Sequence, residues 1–112
     1  MSFNVAQYVA NTFFNIADNL GFDGKVFLSE NDDEVIFEIK SPTGNSGKTT
    51  LYLPQLASVA SRSFADFREE AEYRVLNKIN QIALFSTPRT GSDVIFFRSL
   101  AKETQNFMNG GF

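Results

Sequence analysis

The run that comes nearest to a chemical signature is Pro42-Thr43-Gly44-Asn45-Ser46-Gly47-Lys48-Thr49, which ends in the Gly-Lys-Thr of a phosphate-binding loop. Such a loop needs glycine where Pro42 stands, and it must then open a helix whose first amides hold the phosphate. Here Thr50-Leu51-Tyr52-Leu53 continues as an alternating, strand-like run, so the segment reads as a hairpin loop. Glu30, Asp32, Asp33 and Glu34 could offer oxygens to calcium, but they lack the alternating spacing, central glycine and closing glutamate of an EF-hand loop. They read as a solvated acidic turn that also keeps a sheet edge from pairing. Glu69, Glu70 and Glu72 lie beside Arg68 and Arg74, and at i,i+4 the pairs Arg68–Glu72 and Glu70–Arg74 are ordinary helix ion pairs. The chain has no His and no Cys, which removes the usual base near neutral pH, the commonest transition-metal ligand and any thiolate. No catalytic, cofactor-binding or metal-ligating residue is assigned, no small-molecule substrate is evident, and the chain reads as a non-enzyme.

What remains are residues suited to contact. Phenylalanine occurs 13 times in 112 residues with no Trp, more dry ring surface than a core this small readily absorbs. Charge is divided unevenly. Residues 1–47 hold Lys25 and Lys40 against seven acidic groups, a balance of −5, whereas residues 48–112 balance at +2. That asymmetry would help copies of the chain attract one another. The basic residues Arg62, Arg68, Arg74, Lys78, Arg89, Arg98 and Lys102 all fall in the second half, with Arg98 and Lys102 on one helical face. Poor aromatic interleaving and intervening acids make nucleic acid the second-ranked partner.

The elements that must position these residues are legible as an α+β order. Residues 3–20 carry Val5, Val9, Phe13, Ile16 and Leu20 on one half of a helical wheel, with Ser2 as cap and Gly21 just past the end. The other half is rich in Asn, including Asn11 and Asn15, with Asp18 its single charge. It is either a solvent face or a face that hydrogen-bonds to another subunit. Lys25–Ser29, Glu34–Lys40 and Thr49–Leu53 alternate and predict a three-stranded antiparallel meander, with Val35, Phe37 and Ile39 inward and Glu34, Glu38 and Lys40 near solvent. No fourth strand is evident, so both sheet edges need an explanation.

Pro54 opens a helical pattern that runs to Phe85, with apolar residues from Leu56 to Ile82 spaced by about 3.7 residues, so the stripe drifts around a 3.6-residue helix. The helix either bends near Glu69–Glu72 or packs its halves on different partners. At about 45 Å it would overhang strands of about 17 Å. A second packing surface is therefore expected around Val75, Ile79 and Ile82, as a self-interface. After the loop at residues 86–91, Ser92 can cap a last helix to Met108, bearing Phe96 and Phe107 on a wide apolar arc with Ile95 outside it. A strand over residues 93–97 is the competing assignment. The chain ends Asn109-Gly110-Gly111-Phe112, either a hinged contact arm or a frayed tail.

The order helix, three strands, long helix resembles, at the level of element order, two families. Type III secretion chaperones start this way and continue with further strands, and YbaB-type nucleoid proteins share the order and the length. Both resemblances imply dimers without catalysis. The expectation is one α-β-β-β-α-α domain over residues 1–112: N-terminal helix, three-stranded antiparallel meander, long helix and C-terminal helix, with residues 86–112 available as an assembly arm. Its function would be that of a self-associating structural or adaptor subunit, as in a virus particle or a chaperone or secretion complex. The alternative is a nucleic-acid-binding accessory protein of the dimeric nucleoid-associated type. Neither a signal peptide nor a membrane span is read, so a cytoplasmic location, or a particle assembled there, is expected. The interface candidates are Asn11, Asn15, Val75, Ile79, Ile82, Phe96, Phe107 and Phe112.

Overall fold

The computed structural model describes residues 4–31, 33–86 and 90–110. Its elements are α1 (Val5–Leu20), β1 (Asp23–Leu28), β2 (Glu34–Lys40), β3 (Ser46–Tyr52), α2 (Pro54–Arg62), α3 (Phe64–Phe85) and α4 (Gly91–Met108). This is the α-β-β-β-α-α order of an α+β chain, with the long helix divided in two. The strands form one antiparallel meander, β1-β2-β3.

In α1 the cap is Asn4, whose side chain accepts the Gln7 N–H, and not Ser2, which lies outside the described residues. The helix ends at Gly21 with φ 74, and both Gly21 and Phe22 donate to the Ala17 carbonyl. That reversal lays α1 back over β1, where Val9, Phe13, Ile16 and Ala17 are buried. The Phe13 ring stacks on Phe37 at 4.5 Å with 7° between the planes.

The inward face of the sheet centres on Val35, Phe37 and Ile39, all fully buried. Ile39 has Gly24 and Gly47 as its two cross-strand neighbours. A Cβ on Gly24 would fall 2.6 Å from Phe13, and one on Gly47 would fall 2.8 Å from Ile82. At these two glycines α1 and α3 approach the sheet closely, an approach that a side chain would block. The opposite face is open to solvent at Lys25, Phe27, Lys48, Thr50 and Tyr52. Glu38 departs from the solvent-near position expected of it. On the central strand, between Lys25 and Lys48, it is 9% exposed and ion-pairs with Lys48 at 3.3 Å.

The expected single helix from Pro54 to Phe85 is broken at Ser63, and the stretch Glu69–Glu72 is continuous helix. Ser63 is extended at φ −157, ψ 118; its N–H closes α2 on the Val59 carbonyl, and its hydroxyl accepts the Asp66 N–H to start α3. One residue thus serves as the end cap of one helix and the N-cap of the next. α3 then buries Phe67, Ala71, Val75, Leu76, Ile79, Ile82 and Ala83, with its flanks against β3, α1 and α4. α4 starts at Gly91 under a Thr90 cap, two residues earlier than a Ser92 cap implies, and residues 93–97 are helical. It packs on α3 through Phe97, Leu100 and Ala101. Among the described residues no helix is long and apolar enough to cross a membrane.

Candidate interaction surface

The hydrogen-bond pattern of the meander fixes which backbone groups are left over. Leu53 N–H donates to Asp33 C=O, and Ser41 N–H donates to Asn45 C=O, in register with the β2–β3 pairing. Alternation in an antiparallel ladder then bonds residues 47, 49 and 51 to β2 and turns the N–H and C=O of Ser46, Lys48, Thr50 and Tyr52 toward the free edge. In the same way Ser29 N–H donates to Glu34 C=O, so Gly24, Val26 and Leu28 present their backbone groups at the outer edge of β1. Among the described residues neither strand has a second neighbour.

Exposed apolar side chains border these two edges. Phe27 and Leu28 belong to β1 and Tyr52 to β3, and all three are about half exposed. Along β3, two grooves of about 780 Å³ and about 450 Å³ share Gln81 and Phe85 and run between the strand and α3. Tyr73, Leu84 and Phe85 line the second groove and are exposed, Phe85 at 77%. Thr49 donates to Gln81 across the floor at 3.0 Å. Lys48, Arg74 and Lys78 stand on this side, with Arg74 held by Glu70 at 2.8 Å. Asp23 and Lys25 are exposed on β1, and Asp18 and the half-exposed Phe14 on α1.

The residues expected at interfaces are dispersed. Asn11 and Asn15 are exposed on α1, and Asn11 accepts from Gln7 of its own helix. Val75, Ile79 and Ile82 are at most 3% exposed, enclosed by the chain's own core. Ile82 stands beside Gly47 of β3, and all three belong to the buried core, so they are not surface residues; α3 also packs on α4 within the chain. Phe96 is half-buried against Phe97, with ring centroids 5.0 Å apart, and Phe107 is half-buried as well. Phe112 lies outside the described residues. The edge residues Phe27, Tyr52, Leu84 and Phe85 were missed. Their signal was present as rings on the solvent side of an alternating strand and as apolar residues off the α3 stripe.

The run from Pro42 to Thr49 forms the β2–β3 turn and enters β3, and α4 holds it in place. Asp93, fully buried in the first turn of α4, accepts from Thr43 Oγ1 at 2.6 Å and from Asn45 Nδ2 at 2.5 Å. In the acidic turn, Ser29 donates to the Asp33 carboxylate at 3.1 Å. Comparison of the chain with family models, with curated proteins and with solved structures finds no match.

Proposed function

We propose that this chain is a non-enzymatic, self-associating subunit of a larger protein assembly, structural or adaptor in role. The observation that carries the reading is the coincidence of free strand edges with exposed rings. Phe27 and Leu28 sit on one edge, Tyr52 on the other, with Tyr73, Leu84 and Phe85 beside it. Soluble monomers usually blunt an edge with charge, proline or a covering segment, and apolar residues gathered along an edge mark a contact. The absence of His and Cys from the sequence supports a binding role over a catalytic one. Sedimentation velocity across a concentration series tests this. The expected result is a species larger than the monomer at ~1–10 µM, the weak end of the range that specific interfaces of ordinary size span. A clean monomer at ~100 µM overturns the reading, because an interface burying over ~1,200 Å² would populate the complex there.

A further inference from the structure

We propose that copies of this chain associate head to tail, the free edge of β3 in one copy pairing in parallel with the free edge of β1 in the next, so that the sheet continues from copy to copy. The inference rests on the self-association reading and specifies its geometry. Charge suits the pairing of unlike edges. The β3 side carries Lys48 and Lys78 together with the Arg74–Glu70 pair, and β1 carries Asp23 and Lys25. Joining unlike edges in parallel can set Lys48 against Asp23 of the next copy.

Backbone geometry selects the direction. β1 and β3 both run antiparallel to β2, so a neighbour that keeps its helices on the same face of the sheet presents β1 parallel to β3. A parallel ladder requires that a residue whose N–H and C=O face the partner stand opposite one whose groups face away, with both side chains on the same side. Lys48, Thr50 and Tyr52 face the free edge of β3, and Asp23, Lys25 and Phe27 of β1 face inward to β2, all six with outward side chains. The requirement is met without a bulge.

One register satisfies charge and burial together: Lys48 opposite Asp23, Thr50 opposite Lys25 and Tyr52 opposite Phe27 of the next copy. It covers the two exposed rings, 56% and 45% exposed, with each other, an aromatic cross-strand pair. It also extends the row Lys25–Glu38–Lys48 with Asp23 and Lys40 of the next copy, so that charges alternate across the junction. On the inward face Leu51 stands opposite Val26.

A heterologous contact leaves one free edge at each end, so growth continues into a ring or a filament. Two variants with one dead edge each therefore test it. Thr50→Pro and Leu28→Pro each remove an N–H that faces the free edge and spare the ladder to β2, and circular dichroism checks that each is folded. Tyr52→Asp and Phe27→Asp carry the same test without altering the backbone. Expected in sedimentation velocity is that each variant alone associates at least tenfold more weakly than the native chain, while an equal mixture of the two complementary variants recovers a complex of two chains and nothing larger. If one variant alone still forms a dimer and mixing recovers nothing, like edges pair and the head-to-tail geometry is wrong. If both variants assemble as the native chain does, the edges are not the contact. If the native chain is itself a monomer throughout, the self-association reading fails, and this geometry fails with it.

Discussion

Asp93 shows how a single side chain ties distant parts of this chain together. It lies 50 residues from Thr43 in sequence and accepts from both Thr43 and Asn45, while its own N–H is held by the Thr90 hydroxyl. A carboxylate in the first turn of a helix is favoured by the helix dipole, and a buried one needs its oxygens filled. The donors that fill them fix the β2–β3 turn against α4. Hydrogen bonds to a charged group contribute about 1.5–3 kcal/mol, so Asp93→Ala should destabilise the fold by about 2 kcal/mol in chemical denaturation. The exposed Thr43 can turn to water and soften that loss. Asn45→Ala should lose most of its own effect once Asp93 is gone, because the two act as one contact. Full additivity of the two substitutions would show that the contact does not hold the turn. From the sequence Asp93 could be read only as a favourable first-turn acid, because nothing in local spacing points to partners so far away.

At the scale of elements, the strands and outer helices were legible because their periods are local. Val35, Phe37 and Ile39 alternate as a strand does, and the α1 stripe repeats as a helix does. β1 and β3 begin two or three residues before the expected starts, since Asp23, Ser46 and Gly47 pair in the ladder without apolar side chains to announce it. The break at Ser63 was hidden for a related reason. Ala60, Phe64 and Phe67 keep helical spacing across it, so the apolar pattern never falters where the backbone does. The available signal was polar: Ser63 followed three residues later by Asp66, the spacing of a capped start. Ser63→Ala should cost about 1 kcal/mol, whereas Ser63→Asp, which keeps an acceptor for the Asp66 N–H, should cost much less. Equal stability of native and Ser63→Ala chains on denaturation would mean that the cap does not carry the break. The drifting stripe on α3 was legible as a demand for a second surface. That α4 packs on α3 within the chain, while Val75, Ile79 and Ile82 are buried in its core, is a long-range outcome that no periodicity encodes.

Over the whole molecule the question is which partner the charge distribution suits. A nucleic-acid surface gathers lysine and arginine into one stripe so that many phosphates are neutralised together. Here the basic groups are divided. Lys48 lies 3.3 Å from Glu38 and Arg74 2.8 Å from Glu70, so each has an acid beside it within the chain. Arg98 and Lys102 are exposed on α4 with Glu103 next to them, and α4 packs on α3 rather than bordering the grooves beside β3. The rings that could stack on bases, Tyr52, Tyr73 and Phe85, border β3 instead of interleaving with that pair. The charges of α1 and β1 are Asp18, Asp23 and Lys25, which make no cationic stripe for a phosphate backbone. Fluorescence anisotropy with labelled single- and double-stranded oligonucleotides at low salt should therefore show no binding at protein concentrations of ~10 µM, a level at which the non-specific contacts of charged nucleic-acid-binding proteins are detected. Submicromolar binding that collapses as salt rises, as released counterions require, would instead place a polyanion among the partners and reverse the ranking of the two readings. The same salt series on the proposed self-association separates the cases further, because backbone pairing and a Tyr52–Phe27 contact should weaken far less with salt than phosphate binding does.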